Sequence, residues 1–364
     1  MNAADYCADV TYARCTPKEY EVMLRFLDKC FEKPEKRWFD KYYGHIFQRR
    51  PPYAGRTFLF RKGTRIAGAI GVYPLSLRIG RAVLSVGGIG SVSVDPAVRG
   101  RGVMSCMLRS MIDEMERGGY DISWLGGDRF RYRNYGWDIG GRRIVFNVRL
   151  RDIERYYPRL PQCTVSSGLA RDYRTLVRIY NRFETAVVRD MQSWRNLSRR
   201  RGYGRMAAES GRGNAYLIYL KENARWVVEI QGDPLTATAL LARYMRSRKL
   251  NHVDVTYPYT HDGLAQMLHH SAANFTVQNN SQIRVINTDT TWKKLMPEVR
   301  RRLAADTKAE AIADLEKTEN HDDRNLIIER LLGFFDTLPV FPGRMKKFEF
   351  LRPLGWWMSE YDSV

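Results

Sequence analysis

A glycine-containing segment flanked by arginines is the part of the sequence best suited to chemistry. In the run GGIGSVSVDPAVRGRGVMSCML, Gly100 and Gly102 separate a strand-like stretch from one with helical periodicity. Free N–H groups at a helix start bind phosphate oxygens, and glycine lets a ligand approach the backbone. Arg99 and Arg101 add positive charge there. The segment predicts a pyrophosphate site, and it is neither a Walker loop nor a dinucleotide fingerprint because GK and a third glycine are missing.

Two motifs carry a family resemblance. The first is a six-residue pattern with Gln or Arg at its first position, Gly at its fourth and Gly or Ala at its sixth, and residues Arg99 to Val103 match its first five positions. The second is YRNYGW at 132–137, which resembles YxxxGF. The sequence is therefore similar to the GNAT superfamily of N-acetyltransferases. Met104, at the sixth place, is a large apolar residue of the kind found in the enhanced intracellular survival (Eis) type, a tandem-GNAT subgroup. The resemblance covers residues 1–150 well and extends more loosely over a second unit, including Arg189, Asp190 and Trp194.

The resemblance implies a cosubstrate and a set of site residues. Acetyl-CoA would donate the acetyl group, with its pantetheine arm along the strand that ends at 94. The implied cofactor-binding residues are Val92, Ser93, Val94, Arg99, Gly100, Arg101, Gly102, Val103, Met104 and Ser105. In the family the motif tyrosine, here Tyr132, protonates the departing CoA thiolate, which is reasonable acid catalysis for a phenol beside sulfur. The alternative interpretation is that Tyr132 and Tyr135 are packing aromatics in a tyrosine-rich chain.

The sequence does not identify which group acts as the general base. Ser91 and Ser93 occupy places where some relatives carry Glu, so this strand offers no carboxylate to accept the amine proton. The Eis-type enzymes use the terminal carboxylate, which the resemblance carries over to Val364. The aromatic ending LRPLGWWMSEYDSV indicates a docked C-terminus. Asp128 and a chain of water molecules are the alternatives.

Composition excludes several classes of protein. The 364 residues are 44% hydrophobic and 27% charged, which is typical of globular chains, and no apolar run approaches the length of a membrane span. We therefore expect a cytoplasmic protein without a membrane partner. Cys7, Cys15, Cys30, Cys106 and Cys163 lack metal-site spacing, so reduced thiols and no metal are predicted. Adjacent His269 and His270 point apart on a predicted helix.

The net charge of +20 favours anionic partners. The phosphates of CoA are one such partner, and a merely solvated basic surface is the other interpretation. The run from Arg199 to Arg205 lacks a nucleic-acid reading module, so a nucleic-acid partner is not expected and a solvated helix end is predicted there.

Periodicity predicts a mixed α/β fold with two tandem GNAT-like units, mostly antiparallel sheets and a short C-terminal segment. The predicted division is a catalytic acetyl-CoA-binding domain at 1–150, a degenerate GNAT-like domain at 160–290 and a shortened C-terminal region at 291–364. Helices are predicted at 19–31, 104–115, 173–183, 187–201, 235–245, 263–270 and 326–335. Strands are predicted at 57–60, 66–73, 75–79, 89–94, 122–125, 142–150, 215–220, 226–231, 252–256 and 282–286. The polar stretch 292–323 is predicted as exposed helix or linker.

Together these features predict an N-acetyltransferase that moves an acetyl group from acetyl-CoA directly to an amine. No cysteine is visibly paired with a base, which disfavours a covalent enzyme intermediate. The acceptor classes considered are small polyamine-like, aminoglycoside-like and lysine-type amines, and a homo-oligomer is possible. The alternative function is a CoA-sensing or regulatory protein without efficient turnover. A third hypothesis is a basic nucleic-acid-associated factor.

Overall fold

The computed structural model describes residues 8–167, 173–303, 309–333, 348, 351 and 353–363. The chain divides into two compact units. The first comprises residues 1–140 and 281–354, and the second comprises residues 141–280 and 355–363. Each unit packs helices against a mixed, mostly antiparallel sheet, so the predicted mixed α/β fold class is confirmed. Cys7 and Val364 lie outside the described residues.

The first unit contains most of the elements that surround the glycine-containing segment. Its strands are β1 (Val10–Arg14), β2 (Thr57–Lys62), β3 (Arg65–Ile79), β4 (Ala82–Val94) and β5 (Ile122–Leu125), followed by the ends of two strands shared with the second unit. Its helices are α1 (Tyr20–Cys30), α2 (Trp38–Tyr42), α3 (Val103–Arg117), α4 (Arg129–Arg133), α10 (Thr288–Leu303), α11 (Ala309–Glu316) and α12 (His321–Leu331).

The second unit begins within the strand that leaves the first. Its strands are β6 (Asp138–Arg149), β7 (Thr164–Ser167), β8 (Thr185–Val187), β9 (Tyr203–Ser210), β10 (Gly213–Leu220), β11 (Trp226–Gly232), β12 (His252–Pro258) and β13 (Ala272–Val285). Its helices are α5 (Leu150–Tyr156), α6 (Tyr173–Tyr180), α7 (Met191–Leu197), α8 (Pro234–Ser247) and α9 (Gly263–His270).

Alternation along the strands of the first unit directs side chains to two separate cores. Strands β1 to β4 form an antiparallel meander, β4 pairs with β5 in parallel, and the end of β13 pairs with β5 antiparallel. Phe58, Phe60 and Val72 pack with α3 on one face. Leu59 and Tyr73 pack with α1 on the other. The two amphipathic helices therefore cover opposite faces of this sheet.

The second unit repeats the combination of one parallel strand pair with antiparallel neighbours. β11 and β12 are parallel and joined through α8, whereas β6, β10, β9 and β7 pair antiparallel with their neighbours. A parallel pair needs a crossover connection, which α8 provides here and α3 provides between β4 and β5. A strand–helix–strand crossover thus occurs in each unit.

A buried ion-pair cluster holds the end of the described chain in the second unit. The Arg189 guanidinium donates to both carboxylate oxygens of Glu229, at 2.7 and 2.8 Å, and to those of Asp362, at 2.8 and 2.7 Å. All three side chains are buried. Arg200 donates to the backbone oxygens of Glu360 and Tyr361. Charged hydrogen bonds therefore fix the segment that carries the buried Trp356 and Trp357.

Several predicted elements differ from the observed ones. The solvated helix end predicted for the run from Arg199 to Arg205 is wrong for part of the run: Arg199 and Arg201 are exposed, but Arg200 is buried and residues 203–210 form β9. The segment YGRMAAES has weak strand propensity and becomes a strand through pairing with β10 on one side and β7 on the other. The polar bend after β5 contains the short helix α4. Strand β3 joins the two strands predicted at 66–73 and 75–79, and strands β4 and β13 begin well before their predicted starts.

Candidate functional site

The start of α3 is open to a ligand. Gly100 and Gly102 have φ values of 76° and 77°, in the left-handed region that glycine adopts without steric cost. Gly102 is the N-cap of α3, and no side chain caps the helix there. The first N–H groups of an α-helix have no partner within the helix, so these amides are available to an anion, which the helix dipole also favours.

The strand that precedes this loop diverges from its neighbour. Parallel pairing between β4 and β5 runs from Val86 to Ile89 on β4 and ends there. On the other side, β4 remains paired with β3 as far as Val94, with a register shift in which Ser91 has a φ of 55°. The bulge at Ser91 turns the end of β4 away from β5, and the backbone of the last β4 residues therefore faces an opening rather than a strand.

These two features meet in one cavity of about 650 Å³. Nine of the ten predicted cofactor-binding residues line it: Val92, Ser93, Val94, Arg99, Gly100, Gly102, Val103, Met104 and Ser105. Arg101 is not among the lining residues. The remaining wall is formed by residues that sequence reasoning missed: Cys30, Phe31, Val98, Arg131 and Tyr135. The cavity therefore extends from the end of β4 to the first turn of α3.

The connections around the loop fix its position against α1. The Arg99 guanidinium donates to the backbone oxygen of Cys30 at 3.2 Å, which joins the loop to the end of α1. Just before the loop, the buried Asp95 carboxylate accepts hydrogen bonds from Lys29, Arg65 and the amide of Ala97. These bonds anchor both sides of the cavity in a defined geometry. Cys30 and Phe31, which the sequence did not predict as part of the cavity wall, lie about seventy residues before the glycine segment, and no local sequence signal relates the two.

The YRNYGW segment places its two tyrosines differently. Tyr135 lines the cavity, and its hydroxyl lies 2.6 Å from the Ser105 hydroxyl in the first turn of α3. Tyr132 is 8% exposed and packs in the core beneath α3, and it is not among the residues that line the cavity. Burial raises the pKa of Tyr132, so its phenol stays protonated at neutral pH. A protonated phenol is the form that a general acid requires, and the role of Tyr132 remains a prediction.

The two serines near the end of β4 offer no carboxylate, and Asp128 lies outside that strand. The Ser91 hydroxyl lies 3.0 Å from that of Tyr73, whose pKa is raised by burial, and the Ser93 hydroxyl donates to the backbone oxygen of Ala69. The Asp128 carboxylate accepts the amide of Arg131 as the N-cap of α4. Val364 lies outside the described residues, so its carboxylate also remains a prediction.

Among the parts of the chain that the structure describes, no three His, Cys, Asp or Glu side chains are grouped to hold a metal ion. Within the same residues, no helix combines the length and apolar character that crossing a membrane requires. The four described cysteines form no disulfide.

Comparison with known proteins identifies the fold. Residues 11–140 match the family model of the acetyltransferase (GNAT) domain. A GCN5-related N-acetyltransferase from Kribbella flavida is 20% identical, with a TM-score of 0.61 over 79% of this chain and 73% of that one. A probable N-acyltransferase of unknown function from Enterococcus faecalis V583 is 16% identical, with a TM-score of 0.62 over 78% and 75%.

Eis1 from Mycobacterium abscessus is also similar, at 12% identity and a TM-score of 0.55 over 78% of this chain and 75% of that one. No curated protein matches the sequence. The family model covers the meander, the glycine loop, α3 and the YRNYGW segment, which are the elements that form the cavity. Residues 11–140 are therefore a GNAT acetyltransferase domain, and the chain has the fold of GNAT N-acetyltransferases.

Proposed function

We propose that this protein transfers an acetyl group from acetyl-CoA directly to an acceptor amine. The observation that carries the proposal is the meeting of an uncapped helix N-terminus and a diverging strand end in one cavity of about 650 Å³. An uncapped helix start binds a diphosphate, and a strand edge facing an opening offers hydrogen bonds to an extended amide-containing chain. CoA carries both groups in one molecule.

The residues present fit such a ligand. Amides at Val103 to Ser105, with Arg99 and Arg101 nearby, would hold the diphosphate. The backbone of Val92 to Val94 would hold the pantetheine arm, as the family resemblance implies. Acetyl-CoA supplies the acetyl thioester. The protein therefore has to bind the thioester, admit the amine, donate a proton to the thiolate and accept one from the amine.

In the proposed reaction the neutral amine attacks the thioester carbonyl, a C–N bond forms and the C–S bond breaks. Tyr132 donates its proton to the leaving thiolate, which is the role that the family resemblance implies for the motif tyrosine. A base accepts the proton that the amine loses, and the carboxylate of Val364, Asp128 and water are the candidates. Direct transfer is further supported by Cys30, because burial raises the pKa of this cavity-lining thiol to about 11 and keeps it protonated.

We also propose that the second unit is a GNAT-like copy that no longer binds CoA. Its crossover helix α8 begins at Pro234, and the Asp233 carboxylate accepts the amide of Thr236 at 3.0 Å. A negative side chain thus occupies the position in which a helix N-terminus would bind phosphate. We therefore expect one molecule of CoA bound per chain, at the start of α3.

The test is release of CoA thiol from acetyl-CoA, measured over a library of polyamines, aminoglycosides and lysine peptides. The wild-type protein should release thiol in an amine-dependent manner, and Tyr132→Phe should lower kcat at least 100-fold because the phenolic proton is absent. Tyr156→Phe is the matched control, since Tyr156 is exposed on α5. Calorimetric binding of CoA without any amine-dependent release would contradict the proposal and favour a CoA sensor.

A further inference from the structure

One arginine joins the YRNYGW segment to the sheet of the first unit. Arg284 lies on the end of β13, opposite Ser123 of β5 in an antiparallel register. Its Nη1 donates a hydrogen bond of 2.5 Å to the backbone oxygen of Tyr135. Its guanidinium carbon lies 5.7 Å from the centre of the Trp137 ring. Arg284 therefore contacts the backbone on one side of Gly136 and the side chain on the other.

The turn around Gly136 is shaped by this guanidinium. Gly136 has a φ of 84°, and a Cβ at this position would lie 2.1 Å from Nη1 of Arg284. Trp137, which follows, is fully buried, and its Nε1 donates to the Ser123 hydroxyl at 3.2 Å. The Ser123 hydroxyl in turn donates to the backbone oxygen of Gly87 on β4. The turn is thereby attached to both strands that diverge at the cavity.

The same turn contains Tyr135 and is hydrogen-bonded to Tyr132 at the end of α4. The backbone oxygen of Tyr132 accepts the amides of Tyr135, at 2.9 Å, and Trp137, at 3.4 Å. The Tyr135 hydroxyl reaches Ser105 in the first turn of α3. A shift of the Tyr135 backbone would therefore move a cavity wall and the backbone of Tyr132 together.

The Arg284 guanidinium is partly desolvated at this position. Burial lowers its pKa, and its Nε is buried without a hydrogen-bond partner among the described residues. The charges of Glu116 and Glu329 act against this shift, and desolvation of the guanidinium still offsets part of what its contacts contribute to stability. Its position beside the motif points to a function other than stabilising the fold.

We infer that Arg284 is a positioning residue for acetyl transfer: it fixes the turn that contains Tyr135 and follows Tyr132, and it does not contact the substrate. This inference rests on the proposed function. Misplacement of a reacting group by about 1 Å can reduce a rate on the order of 100-fold while ligand binding persists. The diphosphate site at the start of α3 does not include Arg284, so CoA affinity should change little when the guanidinium is removed.

Arg284→Met tests this separation, with Arg56→Met as the matched control. Arg56 belongs to the same unit, has a pKa that burial also lowers, and lies 4.3 Å from the Tyr53 ring. For Arg284→Met we expect kcat to fall roughly 10- to 100-fold, with the Kd for CoA within threefold of wild type. For Arg56→Met we expect both quantities to stay within twofold. Thermal unfolding of all three proteins accompanies the kinetics.

A second readout does not depend on activity. The helix α4 before the turn carries Arg129, Arg131 and Arg133, so trypsin followed by mass spectrometry reports how often this segment opens. Cleavage at 129–133 should be faster in Arg284→Met than in wild type or Arg56→Met. A kcat within twofold of wild type, or equal cleavage in all three proteins, overturns the inference. Wild-type protein without amine-dependent thiol release overturns the proposed function itself, and the inference falls with it.

Discussion

At the scale of single residues, burial determines which protonation state each site group has. The phenols of Tyr73 and Tyr132 and the thiol of Cys30 all have pKa values raised by burial, so all three remain protonated at neutral pH. Protonated groups can donate to a leaving thiolate, but they cannot act as bases or nucleophiles. In the proposed reaction these groups can serve only as proton donors, so the proposed base is a more exposed carboxylate or water.

Glu329 on α12 is a buried carboxylate that should affect stability. Burial raises its pKa to about 7, against the opposing effect of the hydrogen bond from Asn325, with the charges of Asp138 and Arg284 also facing it. Because the folded pKa lies above the unfolded one, proton binding stabilises the fold below about pH 4.5, and this contribution is lost as pH rises through 7. We predict that Glu329→Gln has a higher Tm than wild type at pH 8 and that the difference narrows by pH 5.

The measurement is thermal unfolding from pH 5 to 8, with Glu319→Gln as the control because Glu319 is exposed. A difference between wild type and Glu329→Gln that is constant with pH would contradict the assigned role of burial.

At the scale of elements, the loop between β4 and α3 needs glycine for its left-handed backbone, and in the proposed function it also needs glycine so that the ligand can approach the backbone. Gly100 and Gly102 both adopt left-handed backbone, and a Cβ at Gly100 would meet nothing within 4 Å. Replacement of Gly100 therefore costs conformational energy without a clash inside the protein. Any further loss must arise where the ligand approaches the backbone.

Gly63 provides an internal control for a prediction about Gly100. Gly63, in the turn between β2 and β3, has a φ of 58° and also has open space around it. Gly63→Ala and Gly100→Ala should each lose about 1 kcal/mol of stability. Only Gly100→Ala should lower CoA affinity, by tenfold or more, because its methyl group would meet the ligand. Calorimetric titration with CoA, alongside chemical unfolding, checks this, and equal affinities in the two variants would refute the ligand's position.

At the scale of the whole molecule, side-chain interactions within each unit join chain segments that are distant in the sequence. In the second unit, the Arg189 cluster joins the loop before α7, the strand β11 and the segment after 354. The guanidinium also lies 4.0 Å from the Tyr180 ring. Removal of one member of a buried ion cluster leaves uncompensated charge in the interior, which is far more costly than loss of an exposed pair.

We therefore predict that Arg189→Ala lowers the free energy of unfolding by about 3 to 5 kcal/mol, since the carboxylates of Glu229 and Asp362 would remain buried together. Arg246→Ala, which breaks an exposed pair with Glu154 at 2.8 Å, should lower it by less than about 1 kcal/mol. Denaturant unfolding of the two variants measures the difference. Similar small losses in both would show that the cluster does not stabilise the unit.

The sequence by itself determined the features that depend on neighbouring residues. The residues that line the cavity between 92 and 105 could be predicted because the end of a strand, two glycines and the start of a helix are contiguous there. Helix termini and glycine have the same physical properties in any fold. The amphipathic stripes of α1 and α3 were predictable for the same reason, since periodicity specifies which face is buried.

Only the tertiary structure decided which distant residues complete the site. Cys30 and Phe31 join the cavity because α1 packs on the sheet, and Arg284 reaches Tyr135 because β13 pairs with β5, contacts that span about 70 and 150 residues. Likewise, the partners of Arg200 lie 160 residues away, so one arginine of a run that suggests a solvated surface is in fact buried. Strand pairing and packing set these contacts through the geometry of the whole unit, and local spacing in a single sequence carries no record of them.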